Sequence, residues 1–193
     1  MFSTKARLIK RTGKNGVGRY DFLQLLSTEY NTTKSKDAKE QVLANLANFA
    51  YDPINYGYMR QLRIIDLFLH ALSESNSKLV RFAIGGICNL CLDAINKIYI
   101  LRNRGVELVS QLLSFHDEDI VLSAISTLIF LITSESKNEI TSTEIIKHML
   151  ELSCSDNIRI KNLAIIFLND YCEATEVEKM KKRKIISPFI ENK

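Results

Sequence analysis

The sequence is poor in the residues that build tight turns and flexible loops, with only 7 glycines and 2 prolines among its 193 residues. Because glycine and proline punctuate strand-and-turn folds and loop-rich segments, their scarcity argues against a β-rich fold and against a disordered chain. No stretch approaches the ~18 consecutive apolar residues of a membrane-spanning helix. Tryptophan is absent. What remains is the composition of an ordinary globular protein, 46% hydrophobic and 25% charged.

The first residues, MFSTKARLIKRTGKNG, are basic but lack the apolar core of a secretory signal. A mitochondrial presequence is also basic and free of acidic residues, so this alternative stays open. Gly13, Gly16 and Gly18 argue against it, because glycines interrupt the amphipathic helix that a presequence forms. Without a secretory signal, the four cysteines are expected to be reduced thiols inside the cell.

Basic residues are concentrated at the two ends of the chain. The first 19 residues contain six basic residues and no acidic one, which leaves 20 basic against 22 acidic residues in the rest. A second basic run, KMKKRK, covers Lys179–Lys184. Such basic tips predict an anionic neighbour such as RNA, an import signal, or simply solvated tails. The candidate RNA contacts are Lys5, Arg7, Lys10, Arg11, Lys14, Lys181, Lys182 and Arg183.

Patterns that indicate catalysis or metal binding are missing. Cys88 and Cys91 form a CxxC, but Cys154 and Cys172 lie at the wrong spacing to complete a zinc site. One helical turn apart among apolar residues, the CxxC pair is expected to pack in the core. The three histidines have no ligand spacing, and no nucleophile elbow, P-loop or HExxH motif occurs. The sequence therefore predicts a protein that is not an enzyme, with no metal and no cofactor.

One segment of the chain repeats itself at a fixed spacing. Residues 39–68 align with residues 80–109, so that Asn48 falls on Asn89 and Asp52 on Asp93, each 41 residues apart. A further step of 41 residues places the apolar residues after Val80 on those after Val121. A helical repeat of about 40 residues is typical of armadillo and HEAT arrays, whose units stack because none buries its apolar face alone.

Apolar spacing predicts two or three helices in each repeat, of which the last is the longest. The predicted last helices cover residues 37–51, 78–92, 119–133 and 158–172, and residues 133–142 are predicted to be a polar linker. We therefore predict an all-α, right-handed armadillo-type α-solenoid of about four repeats over residues 18–173. A disordered basic arm (residues 1–17) precedes it, and a basic C-terminal helix or tail (residues 174–193) follows.

The segment FAIGGICNLCLD (Phe82–Asp93) resembles the third-helix signature of armadillo repeats, and DAKEQVLANLANFAYDP (Asp37–Pro53) carries a version of it. Together with VLSAISTLIF (Val121–Phe130), these segments resemble the small armadillo-repeat proteins of the minor (U12-type) spliceosome, over roughly residues 16–172. The resemblance implies a non-enzymatic scaffold in the nucleus. It also implies a partner with an RNA-recognition motif, contacts with other spliceosomal proteins and a role in pre-mRNA splicing.

In armadillo arrays the third helices line a groove, where a recurring asparagine binds the backbone of a peptide. The resemblance assigns this role to Asn48, Asn89 and Asn169, with Phe130 at the same position of the third repeat. Four residues earlier, where peptide-binding arrays have tryptophan, this chain has Ala44, Gly85, Ser126 and Ile165. The alternative for each asparagine is a hydrogen bond to its neighbouring helix.

Three further questions stay open at this point. The adjacent Gly85 and Gly86 weaken a helix, so either close internal packing or a partner approaching the bare backbone should compensate. Direct RNA binding through the basic tips is a rival function, and so is an adaptor for a peptide or cargo unrelated to splicing. The face that the partner occupies is not determined by the sequence.

Overall fold

A computed structural model describes residues 2–13 and 16–186, with side chains described up to residue 182. The described residues form helices and turns and no strand. They divide into two compact units, Met1–Leu108 and Val109–Lys193. No described helix has the length and apolarity needed to cross a membrane. The α-helices are α1 (Lys5–Thr12), α2 (Arg19–Thr32), α3 (Lys36–Ala50), α4 (Tyr56–Gln61), α5 (Ile64–Ala71), α6 (Ser77–Leu90), α7 (Ala94–Arg102), α8 (Gly105–Ser110), α9 (Glu118–Leu131), α10 (Lys137–Ile140), α11 (Thr143–Leu152), α12 (Ile158–Tyr171) and α13 (Ala174–Ile186), with 3-10 turns at Pro53–Asn55 and Gln111–Ser114.

The longest helix of each repeat begins at a short polar residue, because a side-chain oxygen there satisfies the free N–H groups of the first turn. These caps are Ser35, Asn76, Asp117 and Asn157, which recur every 40 or 41 residues. Their side chains accept hydrogen bonds from main-chain N–H groups two or three residues later, at 2.9 to 3.4 Å. Capping thus fixes the start of α3, α6, α9 and α12.

In the first unit, α6 packs against both α3 and α5, and α2 covers the other side of α3. Leu46, Phe68 and Ile84 are fully buried between these helices. Polar contacts join the first turns of α3 and α6: the Asn76 amide donates to Glu40 at 2.8 Å, and the Lys78 ammonium lies 2.9 Å from the same carboxylate. These hydrogen bonds lower the pKa of Glu40.

In the second unit, α12 packs against α9 and α11, while α13 contacts α11. Phe167, Ile125 and Met149 are fully buried in this core. The cap of α12 again contacts the first turn of the preceding long helix, since the Asn157 amide donates to Glu118 at 2.7 Å. The same polar link therefore occurs in both units.

Two segments differ from the sequence-based expectation. The arm predicted to be disordered (residues 1–17) contains α1. The residue before this helix, Thr4, caps it, since its hydroxyl accepts from the Arg7 N–H at 3.3 Å. The arm is tied to the first unit where the Ser3 N–H donates to the Asp52 carboxylate at 3.0 Å. The predicted polar linker (residues 133–142) contains the short helix α10, because Ile140 is buried and anchors it.

Candidate functional site

The long helices of the first unit carry two pairs of the predicted partner-binding residues. Asn48 on α3 is exposed and Asn89 on α6 is half-buried. One turn earlier on the same helices, Ala44 and Gly85 are half-buried. Since α3 packs directly against α6, equivalent positions of two neighbouring helices reach the surface of this unit.

The long helices of the second unit carry the other predicted residues. Phe130 on α9 is exposed, and so are Ile165 and Asn169 on α12, which packs against α9. Ser126 is half-buried, and its hydroxyl donates to the Leu122 carbonyl of its own helix at 2.9 Å. This surface is more apolar than the equivalent one in the first unit, where the helices carry asparagine, alanine and glycine.

The three asparagines keep their side-chain amides unoccupied. Among the described residues, the amides of Asn48, Asn89 and Asn169 form no hydrogen bond, so the predicted alternative of bonding a neighbouring helix is not observed. Asn89 is engaged through its main chain only, where its carbonyl accepts from the Tyr56 hydroxyl at 2.9 Å. A free primary amide offers both donors and an acceptor to the backbone of any ligand.

The two adjacent glycines of α6 have different surroundings. A Cβ built on Gly86 would lie 2.6 Å from the ring of Phe68, so close internal packing explains this glycine. A Cβ built on Gly85 meets nothing within 4 Å. Gly85 therefore presents bare helix backbone at the surface of the first unit, one turn before Asn89.

An apolar ridge follows α6 along the chain of the first unit, and sequence reasoning missed it. Leu92, Ile95 and Ile98 follow the end of α6 and continue along one side of α7, with 58%, 60% and 49% of their side-chain surface exposed. We call these three residues the α7 ridge. The signal that identifies the ridge is the spacing of three residues between its members, of which Ile95 and Ile98 lie on a helix whose buried residues are Asn96 and Ile100.

Three arginines of the first unit, Arg60, Arg63 and Arg104, form ion pairs with acidic residues of the same unit. Arg63 and Arg104 both have left-handed backbone, with φ of 55° and 60°, and they pair with Asp66 and Glu107 three residues later. Arg60 donates to Asp93 and to Asn96, both at 2.7 Å. Arg60 thus joins α4 to the start of α7, whereas Arg63 and Arg104 each pair locally and remain exposed.

Thiol chemistry is suppressed at Cys91, the second cysteine of the CxxC. Cys91 is fully buried, and its thiol donates to the Cys88 carbonyl at 3.1 Å. Burial raises the pKa of Cys91 far above its ordinary value, so the thiol stays protonated. No cluster of three or more His, Cys, Asp or Glu side chains suited to a metal ion occurs in the part of the chain that the structure describes.

The candidate RNA-contacting residues lie on the first and last helices. On α1, Lys5, Arg7, Lys10 and Arg11 are exposed, and on α13 so are Lys181 and Lys182. The Lys181 ammonium lies 3.0 Å from Glu178 of the same helix. Lys14 lies outside the described residues, and so does the side chain of Arg183.

Comparison with solved structures identifies the fold. Two designed armadillo repeat proteins match with TM-scores of 0.72 at 11% identity, one of them solved with the peptide (KR)4 and the other made for modular peptide recognition. The first match covers 86% of this chain and 73% of the designed protein, and the second covers 83% and 69%. The predicted all-α armadillo-type solenoid of about four repeats is thereby confirmed.

Comparison of sequences identifies the family. No family model matches the chain. The mouse (Mus musculus) protein named armadillo repeat-containing protein 7 is 53% identical over 163 residues, which cover 83% of this chain and 82% of the mouse protein. The comparisons indicate an armadillo repeat scaffold and no enzyme family. With this identity over most of both lengths, the chain belongs to the armadillo repeat-containing protein 7 family.

Proposed function

We propose that this protein is a non-enzymatic scaffold that binds a protein partner on the exposed side of its long helices. The observation that carries the proposal is the surface of the first unit, which the free amides, the bare backbone at Gly85 and the α7 ridge all reach. Exposed apolar groups together with unoccupied polar groups are the composition of a protein interface. We place the partner on α3, α6 and α7.

The resemblance found in the sequence supports a more specific proposal. The partner carries an RNA-recognition motif, the complex belongs to the minor spliceosome together with other spliceosomal proteins, and it supports pre-mRNA splicing in the nucleus. The sequence resemblance indicated a small armadillo-repeat family, and the 53% identity to armadillo repeat-containing protein 7 supports it. Spliceosome membership, the type of partner and nuclear localisation rest on the resemblance.

An adaptor for basic peptides is the weaker candidate. One designed structural neighbour was solved with a peptide of alternating lysine and arginine. Where peptide-binding arrays have tryptophan, this chain has Ala44, Gly85, Ser126 and Ile165, which lack the aromatic walls that hold an extended basic peptide. The α7 ridge instead suits an apolar partner surface.

The test is affinity purification from nuclear extract with Gly85→Trp as the interface variant. A side chain at position 85 extends into open space, so the variant should fold while its indole blocks the surface. Glu29→Trp, at an exposed position of α2, is the matched control. Proteins and small RNAs recovered with each bait are identified together.

We expect the wild-type protein and Glu29→Trp to recover the same RNA-recognition-motif protein and minor-spliceosome RNAs, and Gly85→Trp to lose both. If Gly85→Trp recovers the partner as well as the control does, the interface lies elsewhere on the protein. If the wild-type protein recovers partners without splicing components, the spliceosomal proposal is wrong.

A further inference from the structure

Helix α1 is seated over the first unit and leaves an open cleft beside it. At one end of α1, the Phe2 ring lies 5.6 Å from Tyr51, and the Ser3 N–H donates to Asp52. At the other end, Gly13 with φ 69° ends the helix. The cleft lies between α1 and the surface of α2 and α3, and its lining includes Leu8, Val17, Phe22 and Phe49.

Two arginines line this cleft without an acidic partner. Arg11, in the last turn of α1, and Arg19, in the first turn of α2, both contribute to its wall. No salt bridge to either guanidinium is found among residues 2–13 and 16–182. Two positive charges that share a cleft repel each other, and an anion bound between them relieves that repulsion.

The surroundings of Arg19 support this picture. The guanidinium of Arg19 lies 4.5 Å from the centre of the Phe49 ring, which holds it in place. Burial and the charge of Arg11 lower the pKa of Arg19, and the opposing attraction from Asp52 is smaller. The Asp52 carboxylate already accepts from the N–H groups of Ser3 and Ile54. Both charged residues that line the cleft are therefore arginines, and the Asp52 carboxylate that attracts Arg19 already has other donors.

The mouth of the cleft presents an aromatic ring. Phe22 packs edge-on against Phe49, with ring centres 5.7 Å apart, and remains 40% exposed. Because the Arg19 guanidinium lies over the Phe49 ring, Phe22 is the ring left open to a ligand. Guanidinium groups beside an exposed aromatic ring are the elements that hold single-stranded nucleic acid, since phosphate pairs with the cations while a base stacks on the ring.

Helix α1 favours a polyanion over a single acidic side chain. Its exposed Lys5, Lys10 and Arg11 stand in a helix that contains no acidic residue. A carboxylate on a partner protein needs one or two cations, whereas an RNA backbone carries a charge on every nucleotide. Lys5 and Lys10, which do not line the cleft together with Arg11 and Arg19, can therefore contact further phosphates of an RNA, whereas a single carboxylate of a partner protein would leave them unused.

We propose that the cleft formed by Arg11, Arg19 and Phe22 binds single-stranded RNA, with a phosphate between the two guanidinium groups and a base on the Phe22 ring. The site belongs to the first unit alone, so it operates without the protein partner proposed above. The sequence predicted only a general attraction between RNA and the basic ends of the chain, whereas the cleft is a defined binding site.

The experiment measures binding of the isolated full chain to a fluorescent oligouridine of about 12 nucleotides, a length within the range of single-strand binding sites. Fluorescence anisotropy gives the affinity over a series of salt concentrations. The double variant Arg11→Gln with Arg19→Gln is compared with Lys181→Gln with Lys182→Gln, which removes the same charge from α13. The single variant Arg11→Gln changes an exposed residue and leaves the cation–π contact between Arg19 and Phe49 intact.

We expect the arginine double variant to lower RNA affinity at least tenfold and to make the salt slope shallower by about 0.7, since the site holds one phosphate and each lost phosphate contact on a single strand removes ~0.7. Arg11→Gln should show about half of that change in slope. Equal effects of the arginine and lysine double variants would show that only net charge matters and would overturn the site.

The aromatic contact has its own matched pair. Phe22→Leu should lower RNA affinity about 5- to 100-fold, because one stacked base is lost. Phe130→Leu removes a ring of the second unit that is 39% exposed and lies outside the cleft, and it should leave RNA affinity unchanged. Equal affinity of both variants for RNA would exclude stacking on Phe22.

A decaglutamate peptide distinguishes the other class of ligand. We expect it to bind weakly and to displace the oligouridine only at high concentration. If the peptide binds more tightly than the RNA, and if this binding depends on Arg11 and Arg19, the cleft is a site for acidic protein segments and the RNA proposal is wrong.

Discussion

The adjacent glycines of α6 give a direct test of packing in the first unit. Replacing either one with alanine adds one methyl group to the same helix, and alanine is favoured over glycine in a helix interior by about 1 kcal/mol. The surroundings differ, because a Cβ at position 86 would lie 2.6 to 2.8 Å from three atoms of the Phe68 ring, whereas a Cβ at position 85 meets nothing within 4 Å.

The structure therefore predicts opposite effects on stability. Gly85→Ala should raise the free energy of unfolding by about 1 kcal/mol. At position 86 the same gain is opposed by overpacking against a fully buried ring, which costs about 1–3 kcal/mol. Gly86→Ala should therefore leave stability unchanged or lower it by up to about 2 kcal/mol. The two variants should differ by about 1–3 kcal/mol.

Urea unfolding followed by far-ultraviolet circular dichroism measures this difference, since the chain has no tryptophan to report by fluorescence. A smaller side chain at position 68 should relieve the overpacking in Gly86→Ala. Phe68→Leu should therefore destabilise the Gly86→Ala variant less than it destabilises the wild type. If both alanine variants are equally stabilised, the contact between α5 and α6 is looser than described and the explanation of Gly86 fails.

Three further predictions concern stability and use the same unfolding assay. Tyr30→Phe should raise the free energy of unfolding by about 1 kcal/mol, because the buried Tyr30 hydroxyl has no partner among the described residues. Burial and the nearby Glu74 raise the pKa of Tyr30 to about 12. Its protonated form is therefore favoured in the fold, and wild-type stability should fall more steeply than that of Tyr30→Phe as the pH rises from about 10 to 12; parallel curves would contradict this. Arg104→Gly should raise stability by up to about 1 kcal/mol, since glycine removes left-handed strain and the exposed pair with Glu107 contributes little; a clear loss would mean that the ion pair dominates. Asn76→Ala should lower stability by about 1–2 kcal/mol through loss of the cap of α6 and of the hydrogen bond to Glu40, whereas Ser77→Ala, at the exposed neighbouring position, should have little effect.

Much of the fold follows from local sequence. The four caps at Ser35, Asn76, Asp117 and Asn157 recur every 40 or 41 residues. Each acts on N–H groups two or three residues away, so the start of every long helix is fixed without reference to the rest of the chain. The apolar spacing within each helix is local in the same sense, and it predicted α3, α6, α9 and α12 to within two residues at most ends.

Contacts distant in sequence decided the remaining features. Helix α1 lies in the basic arm (residues 1–17) for which the sequence predicts disorder. It is held by Asp52, 49 residues from Ser3, and no local pattern encodes that contact. The reason for Gly86 is likewise a ring on another helix, whereas the neighbouring Gly85 has no such contact. The candidate asparagines were found from the repeat spacing, but only the structure shows their amides to be unoccupied.

Helix α7 shows the limit of sequence reasoning most clearly. Hydrophobicity alone predicts that Ile95 and Ile98 are buried and that Asn96 is exposed, but the structure has the opposite arrangement. Asn96 is buried because its side-chain oxygen accepts from Arg60, 36 residues away, at 2.7 Å. The sequence alone determines where helices begin, how long they are and how often they recur, since those depend on nearby residues. Which side of a helix is covered depends on neighbours that only the folded chain brings together, and here that choice leaves the α7 ridge exposed.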